Sequence, residues 1–206
     1  LRDYGFDIIK NKSKELRKQL FSFGAQKIIC CFDQNSNNEF RHNLQRDNYT
    51  YLLKLMNENP SIGLIFKPKK SETLRERLGE SICQTLDHAL KTGRCYLFES
   101  SGKYQSNVSV MMAALSSDLC IHSHLYSGTA AIECALQGIP TLLVDREGYP
   151  FHKLNELSQN QIIFDNWPQL IENILKYFKN PELFPDYGNW GSILNEIDPF
   201  MDRNGA

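Results

Sequence analysis

Ser127, Gly128 and Thr129, with Glu133 four positions beyond Thr129, offer the clearest chemistry in the chain. They open a segment ending at Leu136 that is small on one face and apolar on another, which is a helical pattern. The first turn of a helix presents N–H groups without partners inside the helix, at the positive end of its dipole. With hydroxyls beside it and no bulk at Gly128, that turn is suited to cradling an anion. Glu133 lies about 6 Å further along the same face, at ~1.5 Å rise per residue. A phosphate at the turn and a ribose hydroxyl pair at the carboxylate match this spacing. An ordinary cap followed by a solvated Glu matches the same short pattern, so other groups must complete a site.

Several stand ready, each just after an apolar run. Lys67, Lys69 and Lys70 could point a cation at a diphosphate, with Pro68 biasing Lys67 toward an extended backbone; a solvated basic turn is the plainer alternative. His122 and His124 flank Ser123 and share one side of an extended backbone. Such histidines donate to phosphate or sugar oxygens or exchange protons near neutral pH; His122 reads as structural and His124 as a ligand contact. Arg146 could clamp a phosphate or pair with its neighbours Asp145 and Glu147. Asp33, with Gln34 and Asn35, could touch a sugar or simply form an Asx-turn. No D-x-D pair, G-x-S-x-G elbow, Walker loop or G-x-G-x-x-G follows a strand. That pattern removes serine hydrolases, P-loop enzymes and dinucleotide dehydrogenases from the leading readings, and no metal site is expected.

The elements that must position these groups are six short apolar runs alternating with helices: Lys27–Phe32, Ile62–Phe66, Arg94–Phe98, Leu119–Ile121, Thr141–Val144 and Gln161–Phe164. Each is too apolar for period-two alternation, which indicates a parallel sheet covered on both faces, a doubly wound α/β domain. Helices are expected over 8–23, 49–56, 71–90, 107–115, 127–136, 167–178 and, in the tail, 192–197. Residues 34–48 read as an Asn-rich loop. Asp33, Lys67, Glu99, His122 and Asp145 all mark the carboxyl ends of strands, where open parallel sheets bind ligands.

A chain of 206 residues, 41% hydrophobic, can bury one substantial core. Residues 1–24 read as an N-terminal helix or linker and 25–206 as one Rossmann-like domain. A net charge of -1 and a pI near 6.6 argue against a nucleic acid partner. No apolar run approaches the roughly 20 residues that span a bilayer. The six cysteines sit mostly within apolar runs, as in a reducing, cytoplasmic setting.

The segment Ser117-Asp118, Ser127-Gly128-Thr129, Glu133 and Gly138-Ile139-Pro140-Thr141 resembles the nucleotide-sugar-binding half of GT-B glycosyltransferases. Lys67-Pro68-Lys69 resembles the K-P-x element of bacterial envelope-polymer transferases, glycerophosphotransferases included. The tail with Asp198-Pro199-Phe200 and Asp202 is similar to the ending of bacterial surface-polysaccharide proteins. The resemblance covers residues 25–203. It implies a six-stranded Rossmann-like half of a GT-B enzyme in which Ser127, Gly128, Thr129 and Lys67 bind the donor diphosphate and Glu133 the ribose. His124, Arg146, Lys69 and Asp33 are further candidate donor contacts. It also implies a metal-independent reaction without a cofactor, the nucleotide diphosphate sugar being a substrate. A glycan or lipid-linked acceptor would be held by a second, N-terminal domain expected before Leu1, with peripheral membrane association open for the full-length protein. UDP-GlcNAc 2-epimerases share the architecture but resemble S-G-G followed by a Glu-Glu pair, where this chain has Glu133-Cys134. An epimerase, a glycerophosphotransferase and a non-catalytic nucleotide-binding module remain alternatives.

Overall fold

Strand runs such as Lys27–Phe32 are apolar at every interior position because both faces of the sheet are covered. The computed structural model describes residues 2–33, 38–99, 109–125, 128–148 and 153–197. Six strands, β1 (Lys27–Phe32), β2 (Ile62–Lys67), β3 (Cys95–Leu97), β4 (Leu119–His122), β5 (Thr141–Val144) and β6 (Ile163–Phe164), form one parallel sheet in the order β3-β2-β1-β4-β5-β6. Around it lie α1 (Arg2–Ser22), α2 (Glu39–Glu58), α3 (Leu74–Leu78), α4 (Glu80–Lys91), α5 (Val110–Leu115), α6 (Thr129–Leu136), α7 (Trp167–Lys179) and α8 (Ile193–Ile197). The expected doubly wound sheet is the observed one.

Side chains of β1 alternate between the two layers. Ile29 and Cys31 join Tyr49, Leu52, Leu86 and Trp167 on the face covered by α2, α4 and α7. Ile28, Cys30 and Phe32 join Leu16, Leu20, Ala113 and Cys134 on the face covered by α1, α5 and α6. Each fully buried Leu or Ile in these layers contributes roughly 1.5–3 kcal/mol, which makes the sheet a rigid platform for the loops at its carboxyl end. Asp118 ties α1 to this platform: one carboxylate oxygen accepts from Arg17 at 2.5 Å and the other from the Ile28 N–H at 2.8 Å.

Two expectations are corrected. The helix expected over 71–90 is two helices, α3 and α4, because Gly79 sits between them at φ 80, ψ 167, a conformation essentially restricted to glycine. The region 34–48 is not all loop. Asn38, extended at φ -122, caps α2 by accepting from the Arg41 N–H, and the helix runs from Glu39. Asn, read as loop composition, here starts a helix. Residues 34–37 and the tail from Asp198 lie outside the described residues.

Candidate functional site

Strand order fixes where a ligand crevice opens. The chain winds from β1 to β2 to β3 on one side and then returns to place β4 on the other side of β1, so the switch point lies between β1 and β4. At the carboxyl ends, Phe32 is in register with both Lys67 of β2 and His122 of β4, and His122 with Leu143 of β5. Lys67 and His122 therefore end in one row, two strand spacings or about 10 Å apart. Asp33 and Ser123 are the next residues, and the Ser123 N–H donates to the Phe32 carbonyl at 3.2 Å.

β4 leads through Ser123 and His124 to α6. Gly128 occupies the N-cap position, and among the described residues no side chain caps the helix. A Cβ on Gly128 would lie 3.2 Å from the Leu125 carbonyl oxygen and 3.3 Å from the Leu154 side chain, so any side chain here needs its neighbours to give by a few tenths of an ångström. Thr129 and Glu133 are both exposed on the helix. Partial desolvation raises the Glu133 carboxyl above its ordinary value, and among the described residues no hydrogen bond engages it. Ser127 and Tyr126 lie outside the described residues. The structure thus brings Gly128, Thr129 and Glu133 together on one helix.

Buried at the base of the crevice are the two histidines. The His122 ring nitrogen Nδ1 lies 2.8 Å from the His124 carbonyl oxygen, a distance that favours Nδ1–H as donor. Burial drives the His122 pKa down to about 4, so the ring is neutral at pH 7. His124, only 2% exposed, places Nδ1 3.2 Å from Glu147 Oε2; burial lowers its pKa and Glu147 partly restores it. The other Glu147 oxygen accepts from Arg41 Nε at 2.8 Å. Arg146 pairs not with its neighbours but with Asp47 of α2 at 3.2 Å. Asp145 Oδ1 accepts from the Glu147 and Gly148 N–H groups. The loop after β5 is therefore braced to α2 and to the loop after β4.

On the other side of the crevice, Lys67 is half-buried. Desolvation lowers its pKa, with Asp33 acting against that, so it is a partly dehydrated cation, a state in which an anion is attracted strongly. Asp33 is 6% exposed, and its oxygens accept from the Lys69 N–H at 2.8 Å, Gln45 Nε2 at 2.5 Å and the Tyr49 hydroxyl at 3.3 Å. It faces the protein interior, while the Lys69 side chain is exposed. Among the described residues, no three or more His, Cys, Asp or Glu side chains gather as metal ligands would.

Ser123 was missed by the sequence reading. Its hydroxyl oxygen is buried and, among the described residues, without a hydrogen-bond partner, between the two histidines in sequence at the switch point. Its place directly after the β4 run was the available signal. Two hollows lie elsewhere: a polar one of about 370 Å³ lined by Glu156, Asp186, Trp190 and Glu196, and a groove of about 320 Å³ between α2 and α4. Neither includes a residue of the crevice.

The fold is that of the C-terminal domain of GT-B glycosyltransferases. The C-terminal domain of a group 1 family glycosyl transferase, LpcC, from Francisella tularensis superposes with a TM-score of 0.60 at 9% identity, covering 89% of this chain and 92% of that one. UDP-GlcNAc 2-epimerase from Neisseria meningitidis, solved with UDP-GlcNAc bound, gives 0.54 at 13% identity over 93% of this chain and 49% of that one. Sucrose-phosphate synthase from Thermosynechococcus elongatus gives 0.51 at 14% identity over 93% and 48%. The chain spans about half the length of these last two proteins. No family model and no curated protein matches it. No helix among the described residues is long and apolar enough to cross a membrane.

Proposed function

We propose that this chain is the donor-binding domain of a metal-independent GT-B glycosyltransferase, moving a sugar from a nucleotide diphosphate to a cell-envelope or capsular polysaccharide acceptor. The observation that carries the proposal is the start of α6, with no side-chain cap among the described residues, reached from the switch-point strand through Ser123, whose hydroxyl is orphaned among them, with the half-dehydrated Lys67 ending β2 in the same row of strand ends. In this reading Ser127, Gly128 and Thr129 hold the diphosphate through hydroxyls and N–H groups, Lys67 neutralises it, and Glu133 takes the ribose hydroxyls. Negative charge developing on the departing diphosphate would be met by the helix dipole and the lysine, with no cofactor involved. His124 and Arg146, engaged with Glu147 and Asp47, act by bracing the loops rather than by touching the donor. The acceptor belongs to a second domain in this proposal. Free cysteines throughout the described residues support a cytoplasmic setting.

Calorimetric titration with UDP, CDP, GDP and ADP tests the core of this. Binding of at least one is expected, and Glu133→Ala should weaken it about tenfold, the scale of a lost hydrogen bond to a charged group. Stability should hold within about 0.5 kcal/mol, because Glu133 is exposed. Silence with all four nucleotides would leave a non-catalytic module as the better account. The likeness of fold to UDP-GlcNAc 2-epimerase from Neisseria meningitidis raises a second reading, a sugar-nucleotide 2-epimerase. Product analysis on the full-length protein divides them, since an epimerase alters the free sugar nucleotide without any acceptor.

A further inference from the structure

Behind the basic turn that follows β2 lies a closed polar network drawn from three elements. The Asp33 oxygens, just past β1, accept from the Lys69 N–H and from Gln45 Nε2 of α2. Gln45 Oε1 accepts from Arg77 Nε of α3 at 2.8 Å. Arg77 Nη2 donates to the Lys70 carbonyl oxygen at 3.0 Å, and its other terminal nitrogen to Thr73 Oγ1. Asp33, Gln45 and Arg77 are all buried, at 6%, 2% and 6% exposure. The turn is thereby gripped at two consecutive residues: the N–H of Lys69 from one side and the C=O of Lys70 from the other.

The chemistry of the partners makes the grip directional. Arg77 can only donate, so Gln45 must turn its oxygen to Arg77 and its NH2 to Asp33. Tyr49 and the Lys69 N–H also donate to Asp33. The aspartate thus faces three donors and as a carboxylate accepts from all of them; a proton on it forces Tyr49 to turn and accept instead, and removes the negative charge that strengthens the bonds from Gln45 and the Lys69 N–H.

We propose that Asp33, with Gln45 and Arg77, is a positioning clamp that sets the conformation of the Lys67–Lys70 turn, and that neutralising the aspartate releases the turn and weakens the binding of a nucleotide diphosphate there. The ligand half of the proposal rests on the reading of that turn as a phosphate contact; the clamp itself does not. Titratable and charged groups facing Asp33 are Cys31 on β1, Tyr49 on α2, Lys67 at the end of β2 and Arg77 on α3. Burial is the largest influence on its carboxyl and raises it from 3.8 to about 6; the hydrogen bonds and Arg77 hold it from going higher. The release therefore falls in a mildly acidic range.

The test uses the chain as it stands, with two readouts. Amide hydrogen exchange, expressed as protection factors so that the intrinsic pH dependence cancels, reports on Lys69. Titration with UDP-N-acetylglucosamine, whose diphosphate has no ionisation in this range, reports on the ligand. Asp33→Asn should lower Lys69 protection at least tenfold at pH 7.5, and the unmodified chain should lose a similar amount between pH 7.5 and 5. Affinity should fall about fivefold over the same interval in the unmodified chain and stay flat in Asp33→Asn. Protection of Lys69 that ignores pH in the unmodified chain overturns the clamp, a result that needs no variant to fold. Protection that responds while affinity does not would uphold the clamp and overturn the assignment of the turn to phosphate.

Discussion

Ser123 is where the smallest change separates ligand contact from packing. A buried hydroxyl that nothing satisfies costs a folded protein about 1–3 kcal/mol of desolvation, and among the described residues Ser123 has no partner, so a bound ligand or a water is what would satisfy it. Among the described residues Asn48 Nδ2, Trp167 Nε1 and the Tyr187 hydroxyl are also orphaned, but Trp167 and Tyr187 belong to an apolar core cluster, whereas Ser123 directly follows the end of β4. Ser123→Ala should accordingly leave the melting temperature unchanged or slightly raised while weakening the tightest of the four nucleoside diphosphates about tenfold. Equal affinity in the variant would return Ser123 to the packing. At this scale the sequence was legible for where groups sit on their own local backbone, such as Gly128 at the start of α6 and Glu133 exposed along it. It was not legible for Asp33 or Arg146, whose partners lie 12 to 99 positions away. Asp33 carries the same composition signal whether it meets a sugar or, as found, the inside of its own domain.

Among elements, the strands were the most legible, and β1 and β5 have the expected limits because a run buried on both faces admits no other residues. The helix ends on the site side were less so. Glycine at 79 reads as a tolerable interruption of a helical pattern, yet its backbone takes a conformation closed to other residues, and the break aims α3 so that Arg77 reaches Gln45 and Lys70. Nothing lies within 4 Å of where a Cβ on Gly79 would stand, so a side chain there is opposed by backbone strain alone. Gly79→Ala should cost roughly 1–3 kcal/mol, seen as a fall of about 2–4 °C in melting temperature per kcal/mol for a chain of this size. A substitution without cost would mean that α3 and α4 can run on as one helix, in which case the clamp on the basic turn is not fixed by the break.

For the molecule as a whole, the crevice is built on two buried titratable groups with opposite demands. Asp33 has its pKa raised from 3.8 to about 6, so in that interval the folded chain binds a proton that the unfolded chain releases. Its contribution to stability is full below about 4 and falls as pH rises toward 6. His122 has its pKa lowered from 6.5 to about 4, so there the unfolded chain binds the extra proton, and its contribution grows as pH rises from about 4 to 6.5. At ~1.4 kcal/mol per unit each amounts to roughly 3 kcal/mol, of opposite sign and over nearly the same range. The pair should cancel, leaving the unmodified chain with the shallower dependence that His124 and the exposed ion-paired carboxylates supply. Asp33→Asn removes one side of the balance. Denaturant unfolding of that variant between pH 4 and 6.5 should show stability climbing by about 3 kcal/mol more than in the unmodified chain, while His122→Asn should tilt the curve the other way. Parallel curves for all three proteins would mean that neither group is held in the protonation state its burial requires, and the crevice would then have to be open to water at its base.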